Sequence, residues 1–163
     1  MSKISPCLWF TNQAAEAANF YVSLLPDSRI DRVTHSTVDL PSGPAGSVLL
    51  VSFTLAGQAF LALNGGVPQD HTHAISFSID CADQAEVDRL WDRLSDGGTP
   101  VQCGWVTDRY GISWQVVPSV LPKLLNDPDT KKTQRVMQAM LRMIKLDIAA
   151  LQAAYDEVSS STA

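Results

Sequence analysis

Ala14–Leu24 (AAEAANFYVSL) and Gln84–Leu94 (QAEVDRLWDRL) decide the fold. In the first stretch Ala17, Phe20, Tyr21 and Leu24 recur at i, i+3, i+4 and i+7; in the second Val87, Leu90, Trp91 and Leu94 do the same. That spacing lines four side chains along one face of a helix. The stripes are offset by 70 residues, and repetition at such a distance points to two copies of one supersecondary unit.

The residues around each stripe complete the unit. Before the first, Ile4 to Phe10 reads as a strand, and Thr11 and Asn12 supply a helix cap. Pro26-Asp27 ends the helix, Arg29 to Val38 is β-like, and Pro41 to Gly46 is a loop by its breakers. Val48 to Leu55 and Gln58 to Asn64 are strands joined by a hairpin turn at Ala56-Gly57. In the second copy Ala74 to Ile79 is a strand, Asp83 with Glu86 resembles a capping box, and Gly97-Gly98 stops the helix. Val101 to Val106 and Ile112 to Val117 are strands around the turn Asp108-Arg109-Tyr110-Gly111. A tail follows, with helices over Val120 to Leu125, Thr130 to Lys145, and from an Asp147 cap through Tyr155.

The expected architecture is α+β, with paired βαβββ modules and C-terminal helices. Its divisions are 1–66 (first module), 67–118 (second module), 119–158 (helical tail) and a disordered end, 159–163.

Strand alternation sorts the side chains into two sets. Leu61, Leu63, Ile75, Phe77, Ile79, Trp114 and Val116 form an apolar set expected under the helices. Ser52, Thr54, Ala62, Asn64, Ala74, Ser76, Ser78, Ser113 and Gln115 form a small, polar set expected on the opposite face. By the same parity Trp9, Trp91 and Trp114 go with the helices. Phe10 and Trp105 are assigned to the open side, where Phe10 would floor a cavity. Two sheets with small polar faces can close around a small-molecule trough.

Hydrophobic residues make up 45% of the 163, enough for a sizeable core, while charged residues are 18%. The net charge of −5 argues against broad binding to nucleic acid or anionic membrane. The cysteines, Cys7, Cys81 and Cys103, are odd in number and widely spaced. With no apolar run of signal or spanning length, that pattern points to a soluble protein of the cytoplasm.

Several runs carry a resemblance: Pro6-Cys7-Leu8-Trp9-Phe10, Ala14 to Tyr21, Phe60 to Gly66, Ala74-Ile75-Ser76-Phe77, Cys103-Gly104-Trp105, Asp108 to Gln115 and Arg135 to Met140. Together they resemble the PhnB-like branch of the vicinal-oxygen-chelate (glyoxalase and bleomycin-resistance) superfamily, whose members often carry the name 3-demethylubiquinone-9 3-methyltransferase. The resemblance implies a U-shaped sheet around a small-molecule cavity, and homodimers. It also implies a divalent metal held by His and Glu from both modules. The corresponding slots fall near Pro6, near Ala62, at Ala74 and at Gln115. Of these only Gln115 can ligate, whereas a catalytic metal needs about three protein ligands. No metal or other cofactor is therefore expected. Gly65-Gly66 precedes a proline and a loop, a poor match to a methyl-donor turn between strand and helix.

The reading that follows is a small-molecule binder, with Phe10, Ser52, Asn64, Ser76, Trp105 and Gln115 facing the ligand. The alternatives are a metal-dependent glyoxalase or dioxygenase using His71 or His73 with Gln115, and the methyltransferase of the family name. His71-Thr72-His73 otherwise reads as a polar linker, Cys103 as a structural thiol, and Asp108 as a local hydrogen-bonder. Lys131, Lys132, Arg135, Arg142 and Lys145 read as a solvated face of the tail. Met137, Met140, Leu141, Ile144, Ile148 and Leu151 form an apolar seam, expected at a twofold dimer interface.

Overall fold

The structure, a computed structural model, describes residues 3–157. It divides into two compact units, Met1–Asp70 and His71–Ala163. The expected disordered end, 159–163, lies outside the described residues.

The first unit runs β1 (Cys7–Phe10), α1 (Ala14–Val22), β2 (Arg29–His35), β3 (Val48–Leu55) and β4 (Gln58–Asn64). The sheet order is β1-β4-β3-β2, with β1 parallel to β4 and the other pairs antiparallel. This is the expected βαβββ module. Its hairpin turns on Ala56 and Gly57, both left-handed at φ 47° and 80°. A two-residue turn of that hand matches the twist of the flanking strands. It sets Leu55 against Gln58, so Phe53 faces Phe60 and Val51 faces Ala62.

That register corrects the expected faces of β1 and β4. Tyr21 of α1 stacks on Phe53 at 6.3 Å between ring centroids, and Phe53 on Phe60 at 5.4 Å. The helix therefore covers Val51, Phe53, Phe60, Ala62 and Asn64, while Leu61 and Leu63 stand on the open face with Ser52 and Thr54. In β1, Phe10 pairs with Asn64 and Trp9 with Leu63, so Phe10 lies on the helix side and Trp9 on the open side. Asn64 is 5% exposed, and its amide joins two elements. Oδ1 accepts from Ala14 N at 2.8 Å, and Nδ2 donates to Val48 O at 2.9 Å. The first turn of α1 is thus served by a residue 50 positions away, in place of the cap expected from Thr11 and Asn12.

The second unit repeats the plan with β5 (Phe77–Cys81), α2 (Gln84–Ser95), β6 (Thr99–Pro100), β7 (Trp105–Thr107) and β8 (Ser113–Pro118). Its order, β5-β8-β7-β6, is the first sheet's order over again. Here the parity holds: Ile79, Val106, Trp114 and Val116 are buried beneath α2 together with Val87, Leu90 and Leu94. The strand expected from Ala74 starts only at Phe77, leaving Ile75 76% exposed instead of under a helix. The strand expected from Val101 is broken, because Cys103 and Gly104 turn left-handed. α2 is capped as expected at Asp83, whose Oδ1 accepts from Glu86 N, while Glu86 reaches back to Ala82 N.

The tail forms α3 (Val120–Leu125), α4 (Thr130–Met140) and α5 (Ile148–Asp156). α4 stops five residues short of the expected Lys145. Leu121, Leu124, Val136, Leu146 and Leu151 make a buried cluster, with Met140 and Met143 packed against it. The seam expected at a dimer interface is thus partly turned inward: Leu151 and Met140 serve the tail's own core, and Met137, Leu141 and Ile144 stay exposed. Arg135 is also not a solvated charge. Its Nε and Nη2 donate to the carbonyls of Ala154 and Tyr155 at the end of α5.

Two outcomes test these placements. Asn64→Ala, which leaves two backbone partners unserved, is expected to lower the unfolding free energy by about 1–3 kcal/mol in a denaturant titration. The Tyr155 hydroxyl donates to Asp127 at 2.7 Å. That bond raises the Tyr155 pKa above the usual phenol value and lowers that of Asp127 below the usual carboxylate value. The bond's contribution is then present between the two ranges, lost as pH climbs through the raised phenol value, and lost as pH falls through the depressed carboxylate value. In an NMR titration the pKa of Tyr155 is expected to fall toward the ordinary phenol value in Asp127→Asn, which removes the carboxylate and leaves the desolvation in place.

Candidate functional site

The open face of the second sheet gathers small and polar side chains in register. Ser78 of β5 faces Gln115 of β8, which faces Trp105 of β7. One row along, Ser113 faces Thr107. Gln115 Nε2 donates to Ser76 Oγ at 2.9 Å, which fixes the amide and turns its carbonyl oxygen into a presented acceptor. His73 Nδ1 and Ser113 Oγ share a 2.9 Å hydrogen bond, and the His73 ring meets Trp105 edge-on, 6.2 Å between centroids. Ser113 is buried, Trp105 and Gln115 are half-buried, and His73 and Ser78 are exposed.

The chain places these groups through the turn before β8. Asp108, 3% exposed, accepts from Tyr110 N at 2.8 Å, Ile112 N at 3.0 Å and Trp114 Nε1 at 2.8 Å. It is the local hydrogen-bonder expected of a turn aspartate. With Trp114 held to the helix side, its neighbours Ser113 and Gln115 must point to the other. Arg109 spends its guanidinium on Asp96, 2.6 Å from the carboxylate.

The first sheet's open face differs. Trp9, Leu50, Leu61 and Leu63 are half-buried there, beside Ser52 and Thr54. Thr54 Oγ1 donates to Asp31, which also pairs with Arg29. Trp9 donates from its indole to Val67 O at 2.8 Å. Gly65 gives the ring room, since a Cβ there would sit 1.8 Å from it, and Gly66, at φ 80°, passes against Pro41. These are structural demands for glycine, and they account for Gly65-Gly66 without a phosphate or methyl donor.

Of the six residues expected to face a ligand, Ser76, Trp105 and Gln115 come together on the second sheet. Ser52 stands on the open face of the first. Phe10 and Asn64 lie on that sheet's helix side. His73 and Ser113 were not among the six. The i, i+2 histidines gave a signal for His73, and membership of the small polar set gave one for Ser113.

Among the described residues no group of three or more His, Cys, Asp or Glu is placed to hold a metal ion. Of the expected metal slots, Pro6, Ala62 and Ala74 carry no side-chain donor, and Ala62 faces the helix. His73 and Gln115 stand on the second face, with His73 Nδ1 bonded to Ser113 and Gln115 Nε2 to Ser76, so they offer at most one imidazole nitrogen and one amide oxygen. Such a set falls short of about three ligands. No helix among the described residues is long and apolar enough to cross a membrane.

Two four-stranded sheets of one topology, each with its own helix, are the paired modules of a glyoxalase-like fold. Residues 2–117 match the model of the family described as 3-demethylubiquinone-9 3-methyltransferase, and the chain belongs to that PhnB-like family. It is similar to a PhnB protein of Bacillus cereus, itself described under the methyltransferase name, at 32% identity and a TM-score of 0.65. The likeness covers 72% of this chain and 99% of that one. A protein of Pseudomonas aeruginosa shares the fold at 23% identity and a TM-score of 0.54, over 72% of this chain and 98% of its own. No curated protein matches the chain. The family match ends at residue 117, so α3, α4 and α5 lie beyond it.

Thiol chemistry is unfavourable at Cys81. Burial, with the charges of Glu86 and Asp80, pushes its pKa up to about 12. Labelling with a maleimide at neutral pH is expected to modify exposed Cys7 first and to reach Cys81 only when the chain is unfolded.

Proposed function

We propose that this protein binds a small, neutral, polar organic molecule on the open face of its second sheet, without a catalytic metal. The observation that carries this reading is the row Ser78, Gln115 and Trp105, with Ser76 holding the Gln115 amide. An oriented amide offers both a donor and an acceptor, which suits a neutral polar ligand. Trp105 adds a flat apolar surface with a polar edge. Ser52 is the ligand-facing residue proposed for the first sheet. Thermal-shift screening of neutral aromatic amides and phenols tests the reading. A binder at about a hundredfold its Kd is expected to stabilise by ~2.7 kcal/mol, a rise of several degrees. Gln115→Ala and Trp105→Ala are expected to abolish that rise. A compound that stabilises both variants as it does the parent places the site elsewhere.

A metal-dependent glyoxalase or dioxygenase activity is the second reading, favoured by His73 lying on the same face as Gln115. Elemental analysis of untagged protein separates the two. Substoichiometric divalent metal is expected, and one equivalent per chain would replace the first reading with the second. The methyltransferase of the family name has no such observation behind it in this chain.

Three free cysteines fit a reducing compartment, in keeping with the cytoplasm. We also propose a homodimer, supported by exposed Met137, Leu141 and Ile144. Light scattering is expected to give about twice the chain's 17.7 kDa, and Met137→Glu to lower it. A particle of single-chain mass removes the proposal.

A further inference from the structure

We infer that the helical tail is a positioning element for Trp105, with Leu146 as its central positioning residue. The inference rests on the reading of the second sheet's open face as the ligand site.

The chain enters Trp105 from a turn in which Cys103 and Gly104 are both left-handed, at φ 61° and 80°. A cysteine seldom adopts that conformation, because its Cβ crowds the backbone, and it persists where the surroundings over-determine it. The surroundings here are the tail. Cys103 N donates to Met143 O, and Gly104 N to Ile144 O, each at 2.8 Å. Leu146 is 1% exposed and packs onto Gly104, where an added Cβ would lie 2.9 Å from its Cδ1.

α2 holds the same segment from its other side. Gln84 brackets Asp147, the residue after Leu146, as a neighbouring strand would: Nε2 donates to Leu146 O at 3.1 Å, and Oε1 accepts from Ile148 N at 2.8 Å. Lys145 pairs with Asp88 at 2.8 Å. The turn passes this grip on to the sheet, since Gly104 O accepts from Val116 N and Trp105 O from Val101 N. Residues 143–148 therefore form a strap between α2 and the turn that aims Trp105. The strap lies beyond the family match and reaches the ligand face through α2 and the turn of the second module.

The test uses the full chain carrying fluorotryptophan, with Leu146→Ala and, separately, Gln84→Ala. Amide exchange at Cys103 and Gly104 is expected to accelerate about tenfold or more in Leu146→Ala. The Trp105 fluorine resonance, assigned through Trp105→Phe, is expected to shift or broaden while that of Trp9 stays in place. Affinity for 4-hydroxybenzamide is expected to fall severalfold. Lys145→Ala, which removes a largely exposed ion pair, should move the same readouts less. If Leu146→Ala does not fold, Gln84→Ala decides by the same readouts. A folded variant whose Cys103 and Gly104 amides exchange faster while Trp105 keeps its resonance overturns the inference, as does one in which neither changes. A parent protein that never responds to the probe sinks the ligand reading alone, and the exchange and fluorine results still decide the role of the tail.

Discussion

A buried carboxylate with three donors, Asp108, is the constraint on which the rest of the second unit depends. Two backbone N–H groups close the turn around it, and the Trp114 indole ties the turn to the core. A hydrogen bond to an ionised acceptor is worth more than one between neutral groups. Removing such an acceptor strands donors that cannot reach water, at about 1–3 kcal/mol for each buried group. The orientation of Trp114 then propagates by alternation. Trp114 and Val116 go beneath α2, and Ser113 and Gln115 come up. The face that carries the candidate site is the far side of a core decision made six residues earlier.

The fold was legible because two helical stripes at one offset leave little freedom about how many modules there are. The faces were only half legible. In the second module the parity of Phe77, Ile79, Trp114 and Val116 could be read directly, since each strand alternates large apolar with small polar side chains. In the first, Phe60 to Asn64 alternates apolar with apolar, and either set could pass for the inner one. The deciding information lay in Ala56-Gly57. A two-residue turn sets an odd-numbered residue of β3 against an even-numbered one of β4, so Phe53 beneath α1 requires Phe60 and Ala62 beside it. The role of Asn64 as a cap for α1 was not legible at all, because cap rules look along the chain and this partner comes from across the sheet. The pairing of His73 with Ser113 was hidden for the same reason.

The tail shows how an apolar pattern underdetermines its partner. Met140 and Leu151 have the spacing of an interface seam, yet a five-residue shortening of α4 lets the chain turn back and bury both in a core with Leu121, Leu124 and Val136. What ends the helix is local. After Leu141, Arg142 and Met143 tighten into turn bonds with the carbonyls of Ala139 and Met140, and Leu146 then reaches its site over Gly104. Periodicity alone continues through Lys145 and gives no sign of the break.

The outer strands of the two sheets bear on how the chain behaves in a crowd. β2 closes one sheet with seven residues, nearly all exposed, which would make it a template for another chain's backbone. Its ladder to β3 is irregular between Ile30 and Arg32, where Asp31 is the extra residue, and Arg29, Asp31 and Arg32 put charge along the same stretch. The other sheet ends on β6, two residues long and containing Pro100, which has no N–H to offer. These two rims, β2 and β6, are therefore poor seeds for strand-by-strand growth, which leaves β1 and β5 as the edges where another strand could add.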